Sequence, residues 1–138
     1  MKPWVVCIAG LLINGWAYAQ DKPDPLEAAD KVCMDKASST ASMSECADAS
    51  YKRWDQELNR VYGALRSKLN KPAQAALKES QREWLAYRDA ENKTIGAVYH
   101  MMQGTMYVPM RAGDATEIVK ARVNQLRGYL SLFTPQDQ

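Results

Sequence analysis

The side chains best suited to chemistry lie in two stretches that are both expected to be helical. Gln81, Trp84 and Arg88 stand three and four residues apart, so they share one face of a helix. Asp55 and Asn59 are one turn apart in the preceding stretch. Because a buried guanidinium needs an acceptor, we predict a hydrogen bond from Arg88 to Asp55 or Asn59. We interpret the five residues as a structural polar seam between two helices; a ligand or partner site is the alternative.

A second cluster surrounds the only histidine of the chain, His100. The methionines near it are Met101, Met102, Met106 and Met110. Thioethers are soft ligands that suit Cu(I), but methionines without a regular repeat are more typical of a loop that packs on a helical bundle. We therefore interpret Tyr99, Met102, Met106 and Tyr107 as a partner-binding surface. A Cu(I) or small-ligand site is the less favoured alternative.

No pattern in the sequence indicates catalysis. A single histidine cannot build a multi-histidine zinc site, and no other metal-ligand spacing is recognisable. No motif places a histidine or lysine beside a nucleophilic serine or cysteine. No carboxylate pair lies in a stretch typical of a glycosidase active site, and no glycine-rich loop could hold a phosphate. The sequence predicts a protein that is not an enzyme and that uses no cofactor.

The N-terminus has the features of a secretory signal peptide. Lys2 supplies the positive charge, and an apolar run over residues 4–13 is too short to span a bilayer. The small residues Ala17 and Ala19 fit a cleavage site between Ala19 and Gln20. We therefore predict a signal peptide at 1–19 and an exported protein, periplasmic or secreted, with no membrane span in the mature chain.

The mature chain is expected to be nearly neutral. Removing residues 1–19 takes away Lys2 and lowers the formal net charge from +2 to +1. Nucleic-acid-binding proteins normally carry a basic face, so no nucleic-acid partner is predicted. The total charge also provides no long-range attraction to a strongly basic partner, although a local acidic patch could do so.

Two cysteines, Cys33 and Cys46, remain after the signal peptide. In an exported chain such a pair is most simply a disulfide, and their spacing is not that of a Cys-x-x-Cys redox motif. Closing this loop is expected to contribute roughly 3 kcal/mol to stability.

The hydrophobic periodicity predicts an all-α domain over residues 26–133, with a flexible leader at 20–25 and a tail at 134–138. A short helix begins near Pro25 or Leu26, with Asp24 as its cap. A second helix is capped by Ser42, with Thr40 as the alternative. Its apolar stripe consists of Ala47, Tyr51, Trp54, Leu58, Val61, Leu65 and Leu69.

A third helix opens at Pro72 and forms a long antiparallel hairpin with the second. In that arrangement the Trp54 and Trp84 faces can meet. The pattern dissolves after Ile95. Residues 96–102 could prolong the third helix, and a long loop is predicted at 103–113, within the irregular segment 93–113. The closing helix then starts from a capping box at Asp114.

Two blocks of this sequence resemble the LprI-type lysozyme-inhibitor domain. The first is Cys46 followed by D-Q-E-L-N-R-V-Y at residues 55–62, and the second is L-K-E-S-Q-R-E-W-L-A-Y-R-D-A-E at 77–91. The resemblance covers about residues 33–130 and implies an exported helical domain that inhibits lysozyme. Family members often carry a further disulfide, at positions that correspond here to Asn92 and Asp114. Its loss implies a less restrained 93–113 segment.

The favoured hypothesis is thus an exported protein that binds and inhibits lysozyme or another muramidase. A cell-envelope interaction module without inhibitory activity is the alternative, and the sequence predicts the same fold for both. The oligomeric state is left open.

Overall fold

The computed structural model describes residues 23–133 as four α-helices: α1 (Pro25–Lys36), α2 (Thr40–Lys68), α3 (Lys71–His100) and α4 (Tyr107–Ser131). This part of the chain contains no strand, which confirms the predicted all-α class. The disulfide between Cys33 and Cys46 is also confirmed. The predicted signal peptide, the start of the leader and the tail at 134–138 lie outside the described residues.

Polar caps set the first three helix starts. The Asp24 carboxylate accepts a hydrogen bond from the Leu26 amide at 2.8 Å, as predicted for α1. The prediction for α2 is wrong by three residues, because Ser39 is the N-cap and exchanges hydrogen bonds with Ser42. Ser42 is therefore the N3 residue of the capping box and not its N-cap. For α3, Asn70 is the cap and Pro72 lies in the first turn, where no amide donor is required.

The long loop predicted within 93–113 is wrong. α3 continues to His100 and α4 begins at Tyr107, so the connection is only 101–106. Two residues explain why the sequence pattern does not indicate the end of α3 and the start of α4. Gly96 lowers helix propensity by about 1 kcal/mol but does not end the helix. Pro109 lies in the first turn of α4, where backbone amides have no partner within the helix. Asp114 is therefore inside α4 and caps nothing.

The core lies mainly between α2 and α4, which run in the same direction. Its buried side chains are Trp54, Leu58, Val61, Leu65, Leu77, Val119, Val123 and Leu126. α3 runs antiparallel to both, and Leu77 is the only one of its residues that is buried. α3 packs against α4, whereas an open groove lies between α3 and α2. α4 is thus the central helix of the bundle, a role that the hairpin pattern does not indicate.

Trp54 and Trp84 both lie against α4 and not against each other. The Trp54 ring is fully buried, with the Lys120 and Arg127 charges 5.4 and 5.6 Å from its centroid. The Trp84 ring is half-buried and lies 6.0 Å from the Arg122 guanidinium. Each ring packs against α4, and a positively charged side chain of α4 lies over one face of the ring.

The disulfide joins α1 to α2 and should contribute substantially to stability. The free energy of unfolding of the double variant Cys33→Ala/Cys46→Ala is expected to be about 3 kcal/mol lower than that of the wild type. Without the disulfide, the unfolded chain has more conformational entropy. Urea unfolding monitored by circular dichroism measures this difference. Adding a reductant should destabilise the wild type by a similar amount and leave the variant unchanged. Equal stability of the two proteins would contradict the prediction.

Candidate binding surfaces

Asp30 is the residue that fixes α1 on the bundle. Its carboxylate accepts hydrogen bonds from the Ser50 hydroxyl at 2.7 Å, from the Trp54 indole nitrogen at 2.9 Å and from Arg53. Burial alone would raise the pKa of Asp30, but the donors outweigh it and the pKa lies below its usual value. The sequence analysis missed Asp30. One feature of the sequence could have identified it. Asp30 lies one helical turn after Leu26, so it shares a face with the residues of α1 that pack inward.

A second ionic network joins α1, α2 and α4. Glu57 accepts from Arg60 at 2.6 and 2.7 Å and from Arg127 at 2.7 and 3.1 Å, and Arg127 also binds Asp24. The hydrogen bonds from Arg60 are the largest effect on Glu57. They act against burial and, together with Arg127, lower the pKa of Glu57 to about 2. The carboxylate therefore stays ionised under all ordinary conditions.

A buried arginine, Arg122, holds α3 to α4 by hydrogen bonds to neutral groups. It donates to Gln81 Oε1 at 3.0 Å, to Ser80 Oγ at 3.0 Å and to Gln125 Oε1 at 2.6 Å. Burial lowers the pKa of Arg122 below its usual value. The interhelical polar contact that the sequence suggests for Gln81 therefore exists, but its partner is on α4.

The hydrogen bond predicted across α2 and α3 is not formed. Arg88 donates to its neighbour Asp89 at 2.9 and 3.1 Å, and its charge lies 5.5 Å from the centroid of the Trp84 ring. The Asn59 amide donates to the backbone oxygen of Asp55 at 3.0 Å. The physical reason is the separation of the two helices, which leaves each polar group closer to its own helix than to the other.

The predicted seam is instead part of an open groove of about 740 Å³ between α2 and α3. Four of the five seam residues line it: Asp55, Asn59, Gln81 and Arg88. The fifth, Trp84, packs against the core. Tyr62 and Leu85 contribute apolar surface to the groove. The blocks that carry the family resemblance thus meet at an accessible surface, and only part of them is used for packing.

The other predicted surface lies at the α3–α4 connection. We call residues 98–111 the tip. The rings of Tyr99 and Tyr107 lie 6.1 Å apart, centroid to centroid, and Met102 and Met106 are exposed beside them. The structure therefore brings all four predicted partner-binding residues together. His100 and Arg111 line a shallow pocket of about 240 Å³ together with Tyr99, Met102 and Tyr107.

Non-covalent contacts restrain the tip. The Tyr99 hydroxyl donates to Asp114 at 2.6 Å, which raises the pKa of Tyr99 above its usual value. The hydroxyls of Thr40 and Thr105 lie 3.5 Å apart, so the start of α2 adjoins the connection. Asn92, where relatives often have a cysteine, lines a pocket of about 320 Å³ between α3 and the other long helices. Its side-chain oxygen is buried and has no hydrogen-bond partner within residues 23–133.

Charge is unevenly distributed along the bundle. In the half away from the tip, basic side chains strongly outnumber acidic ones. The basic residues there are Arg60, Arg66, Lys68, Lys71, Lys78, Arg82, Lys120, Arg122 and Arg127. In the half that carries the tip, the two signs are nearly balanced, because Lys52, Arg53, Arg88, Lys93 and Arg111 accompany seven acidic residues. The acidic residues on the three long helices are Glu45, Asp48, Asp55, Asp89, Glu91, Asp114 and Glu117. A nearly neutral total therefore conceals an excess of basic side chains in the half away from the tip.

Within residues 23–133, no three or more histidine, cysteine, aspartate or glutamate side chains come together in a way that could hold a metal ion. None of the four helices is both long and apolar enough to cross a membrane.

Comparison with known proteins places this chain in a family. The family model described as lysozyme inhibitor LprI matches residues 33–126. The chain therefore belongs to the LprI lysozyme-inhibitor family. The match includes the disulfide, the groove and the tip.

Two relatives have no assigned activity. An uncharacterised protein from Rhizobium meliloti is 28% identical over 105 residues, which is 67% of this chain and 74% of the relative. A crystal structure of an uncharacterised protein from Burkholderia thailandensis matches with a TM-score of 0.74 and 33% identity. That alignment covers 81% of this chain and 56% of the Burkholderia chain, so this protein spans little more than half of it.

Proposed function

We propose that this protein is exported and that it binds and inhibits lysozyme or a related peptidoglycan-cleaving enzyme. Membership of the LprI family over residues 33–126 is the observation that carries the proposal. The signal-peptide features at residues 1–19 and the disulfide support it, because both are typical of proteins outside the reducing cytoplasm.

The action proposed is binding, with no chemistry of its own. The charged groups of the two ionic networks are engaged with one another: Asp30 with Arg53, and Glu57 with Arg60 and Arg127. They stabilise the packing of three helices. The accessible surfaces are instead a groove and an apolar tip, which are the kinds of surface that proteins use to recognise partners.

A lytic assay tests the proposal. Purified protein beginning at Gln20 is expected to slow the lysis of peptidoglycan by at least one of several muramidases, in proportion to its concentration. The Cys33→Ala/Cys46→Ala variant is the control for dependence on the disulfide-stabilised fold. No inhibition at a large molar excess over any of these enzymes would overturn the proposal and favour a non-inhibitory role in the cell envelope.

A further inference from the structure

An apolar depression opens at the end of the bundle that lies opposite the tip. Its volume is about 350 Å³, and the ends of α2 and α4 and the start of α3 form its walls. The walls are almost entirely apolar and include Leu69, Tyr129, Leu132 and Phe133. Leu132 is 80% exposed, and the rings of Tyr129 and Phe133 are about half exposed. Large apolar side chains grouped at a surface in this way are typical of interaction sites.

Three cations border the depression. Arg66 and Lys68 lie in the last turn of α2, and Lys71 is the first residue of α3. All three side chains are exposed, and none forms a salt bridge with another residue of the range 23–133. We call this surface, the depression and its three cations, the basic end.

The remaining charges near the basic end balance one another. Two turns or more into α3, Lys78 and Arg82 offset Glu79 and Glu83. The network around Glu57 likewise contains two cations and two anions. In the stretches 62–71 and 123–133, which form the end itself, the sequence has no acidic residue. The positive charge of the three cations is therefore not neutralised by the described residues around it.

We propose that the basic end binds the surface of an anionic lipid bilayer. Lysines and arginines are attracted to anionic headgroups, while exposed aromatic and leucine side chains enter the boundary between headgroups and acyl chains. The three cations supply the first kind of contact, and the apolar side chains of the depression supply the second. Export, as proposed above, would bring the protein to such a surface. The inference does not depend on the inhibition of lysozyme.

A bilayer fits this surface better than a protein does. A helix is about 10 Å in diameter, so the end of three packed helices presents an area on the order of 300 Å². A stable protein interface buries about 800 Å² on each partner. A second copy of the chain would also bring two positive ends together, which opposes association. Binding to a bilayer needs no such area, because each basic or inserted side chain adds its own contribution.

This mode of binding leaves the other accessible surfaces free. α3 has 30 residues, so it is about 45 Å long, and it extends from the basic end to the tip. The tip would therefore lie far from the bilayer, and the groove between α2 and α3 would open to the side. Both surfaces would stay accessible to a protein partner.

Sedimentation with lipid vesicles tests the inference on purified protein that begins at Gln20. Vesicles of equal parts phosphatidylglycerol and phosphatidylcholine are expected to bind the wild type, and vesicles of phosphatidylcholine alone are not. Added salt should weaken the binding, because it screens the attraction between the cations and the headgroups.

A pair of variants with the same net charge locates the binding surface. Lys68→Gln/Lys71→Gln is expected to weaken binding to the anionic vesicles by roughly tenfold or more. The matched control is Lys52→Gln/Lys93→Gln, which removes two exposed lysines from the half that carries the tip. It should bind within about twofold of the wild type, since these lysines lie more than a Debye length from the bilayer. Circular dichroism verifies that the variants are folded.

The apolar contact has its own variant, Leu132→Ser/Phe133→Ser, which should weaken binding by roughly fivefold or more. Equal binding of the wild type to both kinds of vesicle, or equal binding by the two lysine variants, would overturn the inference. So would an apolar variant that binds like the wild type. A wild type that binds neither kind of vesicle would also overturn it and would favour a protein partner for this end. The lytic assay contains no lipid vesicles, so the proposed function stands or fails separately.

Discussion

The variant Trp54→Ala is expected to lower the free energy of unfolding by about 3–5 kcal/mol. The indole is fully buried at the centre of the α2–α4 core, and Lys120 and Arg127 cover its ring. Its ring nitrogen also donates to Asp30, so the substitution removes a hydrogen bond that holds α1 in place. Urea unfolding, followed by circular dichroism at 222 nm, measures the loss.

Trp84→Ala is the matched control. This ring is only half-buried and donates no hydrogen bond recorded within residues 23–133, although Arg88 and Arg122 lie near it. We expect a loss of roughly 2 kcal/mol, from a smaller apolar area and two weak cation–ring contacts. Equal losses for the two variants would mean that α3 is as firmly packed as α2, and would contradict the arrangement described for the core.

The second large effect is a loss of stability in acid that depends on Glu57. Its pKa is lowered from the usual 4.5 to about 2 in the folded protein. A carboxyl group whose pKa is lower in the folded protein than in the unfolded chain stabilises the fold at pH values above its unfolded pKa. That contribution is therefore complete above about pH 4.5 and disappears as the pH falls towards 2. The full contribution of Glu57 to the free energy of unfolding is on the order of 3 kcal/mol.

The variant Glu57→Gln should lose this contribution at neutral pH and should show a weaker dependence on pH between 4.5 and 2. Denaturant unfolding at several pH values measures both effects. Part of the dependence remains in the variant, because the lowered pKa of Asp30 acts in the same direction. The control is Glu79→Gln, an exposed carboxylate paired with Arg82, which should change stability by less than about 0.5 kcal/mol. An unchanged pH profile for Glu57→Gln would contradict the role assigned to the network.

Local sequence patterns were sufficient for the helical class and for most of the boundaries. The apolar stripe from Ala47 to Leu69 requires a long amphipathic helix, and Asn70 and Pro72 require a break followed by a new helix. Cys33 and Cys46, in a chain predicted to be exported, leave one disulfide. These features depend on neighbours within one or two turns, so they can be read without knowing the fold.

The partners of the long helices were decided by tertiary structure. A hairpin pattern indicates that α2 and α3 are antiparallel, but it does not specify that α4 lies between them and takes most of the contacts. Arg88 was therefore assigned to Asp55 or Asn59, although the buried cation is Arg122 and its acceptors are Gln81, Ser80 and Gln125. No periodicity predicts which arginine is buried, because that depends on how three helices pack together.

The sequence by itself determined which residues could form a binding surface, and the structure decided how they are arranged. Tyr99, Met102, Met106 and Tyr107 were identified by type and assigned to a long loop. They lie instead at the ends of two helices and across a short connection, which brings them together at the tip. The excess of basic side chains at the opposite end is likewise absent from the nearly neutral total, because it arises only when helices of opposite direction bring their basic halves together.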